Sequence, residues 1–145
     1  MNLPPHSLRN LNLRVMETKF NFNSSVCTSK EQSERLLKLG LKKETADMYL
    51  YQHILDWKSS LEPVDDEDCI PAWSLSRLIE LMPYCIKVND IAWVFSMSQD
   101  YVRYDMHGSQ KAYIGLQMND DPYSAVIDCM QWLIDTGHFE EDYLN

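Results

Sequence analysis

Residues 121 to 137, DPYSAVIDCMQWLIDTG, constrain this chain more than any other stretch, because they hold an apolar stripe at helical spacing with both ends marked. Tyr123, Val126, Ile127, Met130, Leu133 and Ile134 recur at the intervals of one helix face. Asp121 suits the N-cap, Pro122 the first turn, and Gly137 the left-handed position beyond the end. Burying these side chains is worth about 1.5 to 3 kcal/mol each, as an upper bound. The helix therefore has to dock on another layer.

A sheet is the expected partner. Ile91 to Met97, Tyr101 to Met106 and Lys111 to Met118 read as strands, joined by Ser98-Gln99-Asp100 and His107-Gly108-Ser109. Connections this short favour an antiparallel meander. Ser74 starts a helix in SLSRLIELM, with Leu75, Leu78, Ile79 and Met82 on one face and Pro83 at its end. An earlier helix starts at Thr28 or Ser29, since Thr28 with Glu31 and Ser29 with Gln32 both fit a capping box, and Gly40 closes it. Leu36, Leu37 and Leu39 form its apolar end, and Glu34 and Lys38 stand in the favourable i, i+4 order. A short helix is expected over Lys43 to Met48. Met48 to Trp57, MYLYQHILDW, fits either an edge strand or a helix continuation, and strand is preferred. The expected fold is α+β, an antiparallel three- to four-stranded meander packed against amphipathic helices in two layers.

Residues 1 to 27 read as an N-terminal arm and 28 to 145 as a single domain. The arm holds Pro4, Pro5 and several asparagines without periodicity, with a strand expected around Lys19 to Phe22. Met16 offers an alternative start, which makes residues 1 to 15 an upstream extension. Glu62 to Asp68, EPVDDED, is expected to be a solvated loop.

The chain has 145 residues, 45% of them hydrophobic, enough for one packed core. Its net charge of -9 is uneven. Residues 1 to 40 hold six Lys/Arg against three Asp/Glu, and residues 41 to 145 hold seven against nineteen, giving +3 and -12. Such a body repels phosphate, which argues against direct nucleic-acid binding. No apolar run approaches the roughly 20 residues of a membrane span. The N-terminus lacks the apolar core and cleavage site of a secretory signal, so the expected location is cytoplasmic. Cys27, Cys69, Cys85 and Cys129 form no CxxC pair and are read as free thiols. Cys85 and Cys129, among apolar neighbours, are expected to act as small hydrophobes.

Motifs for chemistry are sparse. His6, His53, His107 and His138 show no zinc spacing, and His138 is read as complementing the negative end of the last helix. Asp65, Asp66, Glu67 and Asp68 lack the ligand alternation of a calcium loop. There is no GxSxG, P-loop or GxGxxG, and four glycines leave little material for a phosphate cradle. Ser74 is read as a cap, not a nucleophile. Trp73, Trp93 and Trp132 are read as core, not as a ligand pocket. No catalytic residue, cofactor-binding residue or metal ligand is assigned, and no cofactor is expected.

TSKEQSERLLKLGLKKETADM, IPAWSLSRLIELMP and DDPYSAVIDCMQWLIDTGHF together resemble a family of small uncharacterised proteins encoded by gut Bacteroidota and their phages and mobile elements. The resemblance covers roughly residues 28 to 139. It carries no established activity and so assigns no functional residue. It implies a cytoplasmic accessory protein of a phage or mobile element. The leading expectation is a non-enzymatic accessory or interaction protein whose partner is another protein. An acidic inhibitor that mimics nucleic acid is the first alternative, recognisable by carboxylates in a duplex-like double row. A small-ligand binder or enzyme is the second, requiring a pocket of convergent polar groups.

Overall fold

A computed structural model describes residues 24–53, 56–63, 69–109 and 111–145. The expected arm strand near Lys19 to Phe22, His6 and the Asp65–Asp68 run lie outside the described residues.

The architecture is α+β, with three α-helices and two antiparallel sheets among the described residues. Helix α1 spans Lys30–Lys38. Ser29 starts it through a full capping box: Ser29 Oγ accepts from Gln32 N at 3.1 Å, and Gln32 Oε1 accepts from Ser29 N at 2.9 Å. Thr28 is not the cap, because its buried hydroxyl accepts from Trp73 N and contacts Ser33 Oγ at 2.7 Å. Gly40 takes the left-handed conformation after the helix, at φ +101°. Glu34 pairs with Lys30, at 3.3 Å, in place of the expected Lys38 partner.

The expected short helix shrinks to a 3-10 turn at Lys43–Thr45, because Met48 already begins a strand. MYLYQHILDW corrects the reading of one edge strand. It supplies β1, Met48–His53, and the start of β2, Asp56–Ser60, and β1 is the middle strand of a small sheet in the order β2-β1-β3. Strand β3 is Ile70–Ala72. Tyr49 faces Ser60 on one side and Pro71 on the other. Met48 and Leu50 are buried with Cys27 and Ala72 in a satellite core, which is what holds β1 at the centre.

The meander has four strands in sequence order: β4, Cys85–Val88; β5, Ile91–Met97; β6, Tyr101–Met106; and β7, Tyr113–Met118. Asn89 and Asp90 both have positive φ, 54° and 64°, as the two-residue turn between β4 and β5 requires. Helix α3, Pro122–Asp135, packs across β6 and β7, with α1 and α2, Leu75–Leu81, beside it. The expected stripe of α3 is buried at Tyr123, Val126, Ile127, Met130 and Leu133, with Ile134 packed at the margin. On α2 the buried side turns toward Leu78, Leu81 and Met82. Trp73 and Trp93 lie in the core, and Trp132 is packed against it.

Candidate functional site

Successive residues of a strand point to opposite faces, so the meander presents two unlike surfaces. One lies under α3: Val102 and Tyr104 of β6 are fully buried, and Tyr104 donates to Pro83 O at 2.7 Å. Burial pushes the Tyr104 hydroxyl up from its ordinary value, aided by the nearby Cys129 and Cys85 thiols. The other face alternates with this one, and α3, the helix packed on β6 and β7 among the described residues, lies on the first face. By register it carries Tyr101, Arg103 and Asp105 of β6 beside Val94 and Ser96 of β5.

Arg103 is the centre of that face. Its guanidinium carbon lies 4.6 Å from the Tyr101 ring centroid and 4.5 Å from that of Tyr113, within cation–π range of both. Its Nε lies 2.7 Å from Asp105 Oδ1, with the Arg103 side chain 20% and the Asp105 side chain 10% exposed. The two atoms are buried but not aligned as a hydrogen bond, so they meet as an ion pair. A buried pair with imperfect bonding is poor stabilisation, since desolvation offsets its attraction.

Beside Asp105 a cleft of about 450 Å³ is bounded by Tyr84, Val94, Ser96, His107 and Ser109. Tyr84, which borders it, is 78% exposed; on β7, Tyr113 opposite Asp105 is 46% exposed and Met118 opposite Tyr101 is 67% exposed.

The sheet edges are poor templates for another strand. Edge strand β7 contains Gly115 at φ +67°, and its register with β6 shifts between Val102 and Tyr104. β4 has four residues and carries Lys87. β3 has Pro71, and β2 has Asp56 and Lys58. Short length, bulges, charges and proline blunt strand addition.

Among the described residues, those singled out in the sequence do not converge. His53 is exposed at the end of β1, and His107 borders the cleft. His138 stands just beyond α3, stacked on Trp132 at 6.4 Å, with Nδ1 3.0 Å from Thr136 Oγ1. Ser74 caps α2: its Oγ accepts from Arg77 N and donates to Asp47 Oδ2 at 2.6 Å. The four cysteines are free thiols. Cys27 and Cys129 are buried; burial pushes the Cys27 thiol up, and burial with Asp128 nearby pushes that of Cys129 up to about 12. Cys85 corrects the small-hydrophobe reading, because it is exposed opposite Val94. Among the described residues no three His, Cys, Asp or Glu gather to hold a metal ion, and no helix is long and apolar enough to cross a membrane.

Several carboxylates are tied down on separate elements. Asp47 anchors the start of α2, Asp121 caps α3 and accepts from Gln32 Nε2 at 2.7 Å, and Asp128 pairs with Arg35 at 2.7 Å.

The Tyr101-Arg103-Asp105 set was missed in the sequence. Its signal was the period-2 alternation of YVRYDM, whose polar half carries both charges on one face.

Comparison of the chain with protein-family models, with curated proteins and with solved structures found no match.

Proposed function

We propose that this is a non-enzymatic interaction protein that docks a partner protein on the open face of its four-stranded sheet. The observation that carries the reading is the cluster on that face: a largely buried Arg103–Asp105 pair whose guanidinium lies between Tyr101 and the exposed Tyr113, with the exposed Met118 opposite Tyr101 and the exposed Tyr84 at the adjoining cleft. Exposed aromatic and methionine side chains around a charged pair suit a protein interface. The blunted sheet edges favour the face over strand addition. The resemblance of three segments to proteins of gut Bacteroidota, their phages and mobile elements supports a cytoplasmic accessory role. The excess of acidic over basic residues, 22 to 13, disfavours nucleic acid as the direct partner.

The test is affinity capture from the native host with the wild type and with a Tyr113→Ser/Met118→Ser variant shown by circular dichroism to be folded. A retained protein that is lost with the variant supports the reading. Retention of the same proteins by both contradicts it.

A further inference from the structure

The cleft beside Asp105 has a definite chemistry. Its charged member is the Asp105 carboxylate; Ser96 and Ser109 add hydroxyls, Tyr84 adds an exposed π face, and among the described residues no lysine or arginine lines it. Arg103 does not border the cleft, so Asp105 stands between its own guanidinium partner and this space. A carboxylate has about four lone-pair positions, so one contact through Oδ1 does not exhaust it. The same face already holds a guanidinium, that of Arg103, between Tyr101 and Tyr113 and against Asp105. The whole chain, at net charge -9, attracts cations and repels acidic partners.

We infer that the docked partner presents a basic segment whose arginine or lysine side chain enters the cleft formed by Tyr84, Val94, Ser96 and Asp105. This rests on the docking role proposed above and adds its chemistry. The inserted cation bonds the Asp105 carboxylate as a charge-assisted contact and lies against Tyr84, while Val94 contacts its aliphatic stem. The 450 Å³ of the cleft admits one long side chain with room for its flanking backbone.

Fluorescence anisotropy with three short labelled peptides tests this, one alternating valine with arginine, one with serine and one with glutamate. The arginine peptide is expected to bind the wild type and Glu31→Gln, changed at an exposed position of α1, alike. Its binding should weaken roughly five- to ten-fold in Tyr84→Ser, where only an exposed side chain changes. Asp105→Asn should weaken it further, and if that variant misfolds the Tyr84→Ser result decides alone. Equal binding of the serine or glutamate peptide overturns the inference, as does arginine-peptide binding unaffected by Tyr84→Ser. Should the arginine peptide fail to bind while host capture still depends on Tyr113 and Met118, the docking face stands and the cationic occupant falls.

Discussion

A Cβ atom placed on Gly115 would lie 2.6 Å from Cζ3 of Trp132, so strand β7 and helix α3 touch at a point where only glycine fits. Gly115 also has φ +67°, a conformation that side chains disfavour. Trp132 in turn stacks on His138, so the contact fixes both the seat of α3 and the chain beyond it.

Gly115→Ala should therefore destabilise the protein by about 2 to 4 kcal/mol, from overpacking and left-handed strain together. Urea unfolding measures it. Adding Trp132→Leu should recover the steric part and leave the φ cost, so the double variant should be more stable than Gly115→Ala alone. A Gly115→Ala protein with an unchanged midpoint would show that the contact is not tight.

Met130 is fully buried in the middle of the α3 stripe, and Met130→Asp places an unpaired carboxylate there. The cost of several kcal/mol approaches the whole stability of a domain, about 5 to 15 kcal/mol, so the variant should be unfolded or insoluble.

Asp128 has a different role from the plain solvent-facing one its helical position suggests. Arg35 reaches across from α1 to bond Asp128 at 2.7 Å and Gln131 Oε1 at 2.7 Å. Both charged side chains are about a third exposed, 39% and 30%, which limits the pair to roughly 1 kcal/mol. Arg35→Gln and Asp128→Ser should each cost up to about that amount and be non-additive in a double-mutant cycle. Full additivity in the urea midpoints would mean that the seam between α1 and α3 does not depend on this pair.

Alkaline conditions should weaken the fold in a defined window. Cys129 is raised from its ordinary value of 9.0 to about 12 by burial. A raised pKa means that the unfolded chain loses this proton first. Stability is thus fully present below pH 9 and is lost as pH rises toward 12, at up to about 1.4 kcal/mol per pH unit. Tyr104, also raised from 10.0, adds to the loss above pH 10. Cys129→Ala should start less stable but decline less steeply between pH 9 and 10, as read from urea midpoints across pH. Parallel curves for wild type and variant would rule out the thiol as a source.

The helices were legible because their signals are local: Ser29, Ser74 and Asp121 act as caps, and the α3 stripe is buried where its spacing puts it. The small sheet was less so, because β1 becomes its central strand only by pairing, on the side away from its hairpin partner β2, with Ile70 to Ala72 farther along the chain. Strand β4 was overlooked because Asn89-Asp90 is a weaker turn signal than a glycine pair, although both residues tolerate positive φ. The open face was hidden for a related reason. Alternation in YVRYDM shows that Arg103 and Asp105 share a side, but Tyr113 reaches Arg103 only once β7 is paired with β6.

Site-specific photo-crosslinking inside the native cell tests the docking face most directly. A photoreactive side chain at Met118, which is 67% exposed on that face, is compared with one at the exposed Glu31 of α1, the helix that packs against α3 and β3. A discrete adduct with another protein from position 118, absent from position 31, is the predicted result. An adduct from position 31 with none from position 118 would contradict the account and move the interaction surface away from the sheet.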